Sequence, residues 1–307
     1  MCDANQSNVE EFILLGFPNM SMVKIQFFFS ILSLYVIIVS MNTLLVVLVA
    51  KSRQLELPMF FFLQNLSLAD IFLTTNTVPK MLQVILWEAV TISFSECVAQ
   101  FYFHSVAGIV ECFLLTVMSY DRYVAIHNPL RYVSIMDLKH RLHLALWCWL
   151  LGFLVMAMEM FFIWNLKFCG LNTIDFFFCD FAPLLELSTS DTSMVILEDF
   201  IFSIPVIILP FVFIIVTYIL IINTVLKISS MSGKKKAFST CSSHLIIVCI
   251  YYGTLIVVYV VPSNGTHVNK FMSLLYILVT PLFNPIIYSL RNHEIKSEIL
   301  KIIKREK

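Results

Sequence analysis

Charge is scarce in this sequence of 307 residues: Asp, Glu, Lys and Arg make up 13% of it, and the formal net charge is zero. A soluble domain carries about twice that charged fraction. The balanced total leaves no excess of either sign to attract a polyanion, which argues against a nucleic-acid binder. Glycine is scarce too, at 7 residues, too few for the many turns of a porin-type barrel. The sequence also lacks a His-Glu-x-x-His pair, a Gly-x-Ser-x-Gly elbow and a phosphate-binding loop, so the common hydrolase and nucleotide chemistries have no foothold. What it does have is apolar residues, 59% of the chain, with a mean hydropathy of +0.89. That excludes disorder and a soluble enzyme. The fold class that remains is an all-α membrane protein.

Apolar runs at about 24–50, 58–86, 97–127, 140–165, 195–228, 234–262 and 270–291 are each long enough to cross ~30 Å of hydrocarbon. They predict a seven-transmembrane helix bundle preceded by a tail over 1–23. A short amphipathic helix and tail over 292–307 follow, with Ile295, Ile299, Ile302 and Ile303 at helical spacing among lysines. Placing the loop after the first span inside puts 16 of the 20 basic residues in the cytoplasm, with Lys24, Lys80, Lys167 and Lys270 outside. The amino terminus is then extracellular and the carboxyl terminus cytoplasmic. The first 20 residues lack a basic start and a small-residue cleavage site, so the first span is expected to act as an uncleaved anchor. Asn5-Gln6-Ser7 forms a glycosylation sequon on the tail.

Of the 8 cysteines, Cys112, Cys148, Cys241 and Cys249 fall in or beside spans and read as packed free thiols. Cys2, Cys97, Cys169 and Cys179 fall outside, where disulfides persist and three connectivities are open. Joining Cys97 to Cys179 would draw the long loop over the bundle as a lid. Cys169 would then be left over or paired with Cys2.

Two acids, Asp70 and Glu111, sit deep in apolar spans. Asp70 lies ~18 Å inward from Pro58, and Glu111 lies ~17 Å from Arg122, so they share a depth. Two carboxylates in contact repel, so either a sodium ion sits between them or one is protonated. On the third span His104, Gly108, Glu111, Leu115 and Arg122 fall within about 60° of one helical face. A histidine, two charges and a glycine are poor packing chemistry. One rigid element thus links an outer cavity, a buried acid and a cytoplasmic arginine ~27 Å away. A cation transporter would also explain the two acids, but it predicts inverted repeats, and the sequence has no such symmetry.

Four motifs in order then bear on family. They are Met118-Ser119-Tyr120-Asp121-Arg122-Tyr123-Val124-Ala125-Ile126, Pro58-Met59-Phe60 with Leu66-Ser67-Leu68-Ala69-Asp70, Lys236-Ala237-Phe238-Ser239-Thr240-Cys241-Ser242-Ser243-His244, and Pro281-Leu282-Phe283-Asn284-Pro285-Ile286-Ile287-Tyr288. Over about residues 8–303 the chain resembles the odorant receptors among the rhodopsin-like G-protein-coupled receptors. It departs from their pattern at Met41, where glycine is usual, at Phe60, where tyrosine is usual, and at His127, where cysteine is common. It departs again at Thr189, where a cysteine would pair the one matching Cys169.

The resemblance implies a plasma-membrane receptor, not an enzyme, that binds small, mostly apolar volatile molecules and needs no cofactor beyond a possible sodium ion at Asp70 and Glu111. The ligand pocket it implies is lined by His104, Ser105, Gly108, Ile109, Cys112, Phe202, Val206, Tyr252 and Tyr259. Gly108 would leave room beside its helix, the two tyrosines would each offer a hydroxyl, and His104 would either anchor the ligand or hydrogen-bond the loop. Asp121, Arg122 and Tyr123 are expected to couple to a heterotrimeric G protein of the stimulatory olfactory type, raising cyclic AMP. Prolines 205, 210, 281 and 285 are expected to act as bending points.

Overall fold

A computed structural model describes residues 9–17, 23–52, 55–227, 230–256, 258, 266–291, 295–298 and 301. Long helices dominate. They are α1 (Lys24–Lys51), α2 (Pro58–Trp87), α3 (Phe94–His127), α5 (Leu138–Ile163), the continuous α7 (Ser193–Ser203) and α8 (Leu209–Leu226), α9 (Met231–Leu255) and α10 (Thr266–Arg291). Two short helices, α4 (Tyr132–Ile135) and α6 (Phe181–Leu187), lie in the connections. Five long helical stretches are apolar enough to span a membrane on composition alone. α2 carries Asp70 and Lys80, and α9 begins with a run of lysines, which lowers their hydropathy. The architecture is an all-α bundle, and it belongs to a multi-pass membrane protein.

Local signals set the helix starts. Pro58 opens α2, where its missing N–H costs nothing. Ser93 and Glu96 form a reciprocal capping box at α3, each bond 3.2 Å. Asp137 caps α5 through the His140 N–H at 2.7 Å. α7 passes into α8 through a π-helical stretch, Ile204–Ile208, with Pro205 near its start. Proline removes one backbone donor there, and the widened turn absorbs the fault without a break. α3 is packed against α2, α5 and α8. By contrast α5 turns Leu142, Leu146, Trp147, Leu150 and Phe161 outward, as a lipid-facing helix does.

A three-stranded sheet caps one end of the bundle, with order β2-β1-β3. Strand β1 (Glu11–Leu15) runs antiparallel to β2 (Ala89–Ser93), placing Glu11 opposite Ser93 and Leu15 opposite Ala89, and parallel to β3 (Thr173–Ile174). Phe12 and Leu14 alternate inward and are fully buried. The sequence reading left this segment as tail. It holds because two connecting loops supply the backbone partners that an isolated five-residue strand lacks. Gly16 follows immediately and packs so closely that a Cβ would sit 3.0 Å from Val84 Cγ1 and 3.2 Å from the Val84 carbonyl.

Cys97 and Cys179 are disulfide-bonded, tying the α5–α7 connection to the start of α3. Cys169 is also disulfide-bonded, which settles that it is not left over; Cys2 and the sequon at Asn5 lie outside the described residues. Thr189, standing where the resemblance expects cysteine, donates its N–H and its hydroxyl to the Lys167 carbonyl at 2.9 and 3.1 Å. Cys112, Cys148, Cys241 and Cys249 are free thiols, the first three buried.

α10 starts beside Gly16, where Lys270 is anchored, and runs the length of the bundle, so Arg291 lies at the end opposite the sheet. Most of the expected terminal helix lies outside the described residues. Within it Ile295 is buried and Lys301 pairs with Glu298 at 2.6 Å.

Pro285 cannot donate the helical hydrogen bond to the Pro281 carbonyl, four residues earlier. Asn42 replaces it: its side-chain amide donates to the Pro281 carbonyl at 2.9 Å and to the Ile38 carbonyl at 3.0 Å, fully buried. Exchanging Asn42 for leucine leaves that carbonyl with no donor in an apolar interior. Such a loss costs ~1–3 kcal/mol, and a lower unfolding midpoint of the purified protein measures it. An unchanged midpoint would refute the role.

Candidate functional site

Three groups of polar side chains lie along α3. The first is near the sheet-capped end. His104 is buried, shares a 3.1 Å hydrogen bond with Thr77 Oγ1 through Nδ1, and leaves Nε2 without a partner among the described residues. Its ring lies 4.7 Å from Phe178 and 5.9 Å from Tyr276. The loop therefore meets His104 by ring packing, and the hydrogen bond goes to α2. Tyr251 Oη donates to the Gly108 carbonyl at 2.6 Å and lies 3.4 Å from Cys112 Sγ, while Tyr252 Oη donates to the Cys112 carbonyl at 3.3 Å.

Of the expected pocket residues, His104, Gly108, Cys112 and Tyr252 are thus brought together. Ser105 and Ile109 are half-buried on the same helix, Val206 is buried in the π-helical stretch, and Phe202 is half-buried. Tyr259 lies outside the described residues. The room beside Gly108 is taken: a Cβ there would meet the Tyr276 hydroxyl at 2.6 Å. The Tyr252 hydroxyl is likewise already engaged. Tyr251 and Tyr276, which the sequence reading did not single out, are central here. Tyr251 adjoins the chosen Tyr252 and showed no separate signal.

The second group is the acid pair. Asn284 Nδ2 donates to both oxygens of Asp70, at 3.0 and 2.9 Å. Glu111 is fully buried and close enough to Asp70 for their charges to couple. Neither Glu111 oxygen finds a hydrogen-bond partner among the described residues; nor do Ser67 Oγ, one turn before Asp70, and Asn284 Oδ1. These are hard oxygen donors in a dry site, suited to a small monovalent cation or to an added proton. Two further acids are buried in helices: Glu159 on α5, and Glu198 on α7, neither of whose oxygens has a hydrogen-bond partner among the described residues.

The third group is at the opposite end. Arg122 pairs with Asp121 through Nη2 and through Nε, the latter at 2.9 Å. Tyr132 of α4 completes a triangle, donating to Asp121 Oδ1 at 2.8 Å and accepting from Arg122 at 3.2 Å. Burial, and then the Asp121 carboxylate, push the Tyr132 hydroxyl well above its ordinary pKa, so it stays a donor. Tyr123 is not in that triangle; it stacks on His127 at 5.2 Å, and His127 reaches Thr224 of α8 at 3.4 Å. Nearby, Tyr218 of α8 bonds His244 Nδ1 at 2.7 Å and the Cys241 carbonyl at 3.1 Å. The His244 motif thus serves to join α8 to α9.

The family model for the olfactory receptor matches residues 30–306. The chain is 42% identical to olfactory receptor 6N1 of Homo sapiens over 307 residues, covering 99% of this chain and 98% of the relative. It is 42% identical to olfactory receptor 2D2 of Homo sapiens, covering 99% of each, and 40% identical to olfactory receptor 1468 of Rattus norvegicus, covering 100% and 98%. With a near-complete family match laid over a helical bundle that places its polar groups along one helix, the chain belongs to the olfactory receptor family, a family of receptors and not of enzymes.

Proposed function

We propose that this protein is an odorant receptor that takes small, mostly apolar volatile molecules at the sheet-capped end, facing outside, and activates a stimulatory olfactory-type G protein at the other end, raising cyclic AMP. Family membership carries the coarser part, odorant binding with G-protein coupling. One observation supports the finer part. A single helix, α3, contributes His104 to the node with Tyr251 and Tyr276, then Glu111 to the buried acid pair, then Asp121 and Arg122 to the triangle with Tyr132. A molecule entering among the aromatic groups competes for their hydrogen bonds and shifts the balance between two packings of the bundle. Arg122, once released from Asp121 and Tyr132, would open a cleft for the carboxyl-terminal helix of a Gα subunit. Cells carrying the chain and a cyclic AMP reporter, exposed to a chemically diverse odorant panel, test this; silence to every member with normal surface expression would overturn it.

The acid pair is proposed to hold one positive charge, a sodium ion or a proton. Exchanging choline for sodium at constant ionic strength is expected to raise the thermal midpoint of the purified protein, with the effect lost in Glu111→Gln. A flat response would assign the charge to a proton.

A further inference from the structure

A cavity of about 80 Å³ opens at the sheet-capped end, bounded by the α5–α7 connection, by Val258 and by Ser273 of α10. Its described lining includes none of His104, Tyr251 and Tyr276. Ser273 precedes Tyr276 by three residues, or ~4.5 Å along the helix, so the cavity lies about one turn outward from the aromatic node.

Most polar groups on its wall are already engaged or in contact with solvent. Asp175 Oδ1 accepts from the Lys270 ammonium at 2.6 Å, and Asp180 accepts from the Phe181 N–H at 2.9 Å as the cap of α6. Thr173 and Glu186 are exposed. Ser273 differs from all of these. It is 2% exposed, and its hydroxyl has no hydrogen-bond partner among the described residues. A buried hydroxyl left without a partner is costly, and a ligand that bonds it removes that cost. Phe176, Leu187 and Val258 contribute apolar wall.

The fold also places an acceptor beside that hydroxyl. Lys270 and Ser273 are three residues apart on α10 and so share a face, and Lys270 holds the Asp175 carboxylate over that face. A carboxylate has about four acceptor sites, and Lys270 fills one of those on Asp175. We infer that this cavity is a recognition site for small primary alcohols, whose hydroxyl donates to Asp175 and accepts from Ser273. A ketone of equal size has no proton to give the carboxylate, an ammonium has no lone pair to accept from Ser273, and a carboxylate ligand meets like charge. The alkyl chain lies against Phe176, Leu187 and Val258. A volume of 80 Å³ holds roughly five waters, so the fitting ligand has about five or six non-hydrogen atoms. The inference rests on the odorant-receptor reading and gives it a ligand class.

The test uses the full-length purified protein in lipid nanodiscs, with binding followed by saturation-transfer NMR and the signal from empty discs subtracted. The probes are 1-pentanol, 2-pentanone and n-butylammonium chloride. Saturable binding of 1-pentanol is expected, severalfold tighter than that of either control. Ser273→Ala should raise the half-saturating concentration of 1-pentanol about threefold to tenfold, as loss of one hydrogen bond predicts. The same variant takes a bond from no described partner, so its unfolding midpoint without ligand should match or exceed that of the wild type, which a structural role for the hydroxyl would not allow. Ala182→Phe, at an exposed position on the lining, should fold and block binding by occupying the cavity. Control probes that bind as tightly as 1-pentanol, or affinity for 1-pentanol unchanged by Ser273→Ala or by Ala182→Phe, would overturn the inference. In reporter cells, responses to other odorants without 1-pentanol binding would remove the alcohol site and leave the receptor reading standing. Binding of 1-pentanol with silence to every odorant would do the reverse.

Discussion

Replacing Arg122 with alanine is expected to abolish G-protein activation while odorant binding persists, since some ~27 Å of helix separates Arg122 from His104. The structural reason is specific. Asp121 is fully buried, and its carboxylate is held by the Arg122 guanidinium and the Tyr132 hydroxyl alone among the bonds described. Removing the arginine strands a buried charge, a change that costs ~3–5 kcal/mol, so Arg122→Ala alone could lose signal by misfolding. Arg122→Lys keeps the charge but loses the planar fork that reaches both partners, and it should reduce coupling severely at near-normal expression. Tyr132→Phe acts in the opposite direction. It removes one bond to the carboxylate, worth ~1.5–3 kcal/mol when the acceptor is charged. It should thereby loosen the resting triangle and raise ligand-free cyclic AMP by about tenfold or more. Surface expression, odorant displacement and reporter output measured on the same cells check all three variants. Full output from Arg122→Ala, or a basal level unchanged by Tyr132→Phe, would remove the triangle from the coupling mechanism.

Cys97→Ser should produce the largest loss of stability. The bond to Cys179 closes a sequence separation of 82 residues, and constraining a loop of that size is worth roughly 4–5 kcal/mol. More than chain entropy depends on it. The Cys179 N–H donates to Gln100 Oε1 at 3.0 Å, and Gln100 and Asn76 exchange side-chain-to-carbonyl bonds of 3.1 and 2.8 Å, which clamp α2 to α3. Phe178, packed on His104, is the adjacent residue. Loss of the disulfide should therefore free the lid from the aromatic node, and the variant should remain largely inside the cell. Surface labelling against total protein reads this directly, and wild-type surface levels would refute it.

The bundle was legible because hydropathy is summed over some twenty residues, and no single contact can reverse it. Asp70, Glu111 and Arg122 were legible for the converse reason: charge in an apolar run is costly enough to stand out. What the sequence could not disclose were partners distant along the chain. Nothing in Glu11–Leu15 marks a strand until the loops at Ala89–Ser93 and Thr173–Ile174 are placed beside it. Nothing in Lys270 separates a solvated outer lysine from one buried against Asp175. Gly108 was read as leaving room beside its helix, and the Tyr276 hydroxyl that fills that room could be named only from the packing. Glu159 escaped notice because it sits near a helix end, where an acid raises no alarm in sequence.

The capping sheet has a consequence for how the chain is made and handled. Its central strand precedes α1, yet one of its two neighbours, β3, emerges only after α1 to α5 have been built. For several seconds of translation the strand must wait with one edge bare. Any reporter peptide fused ahead of Val9 should therefore carry a flexible spacer, because a shift of one residue in pairing would turn Phe12 and Leu14 toward water and leave the lid without its keel.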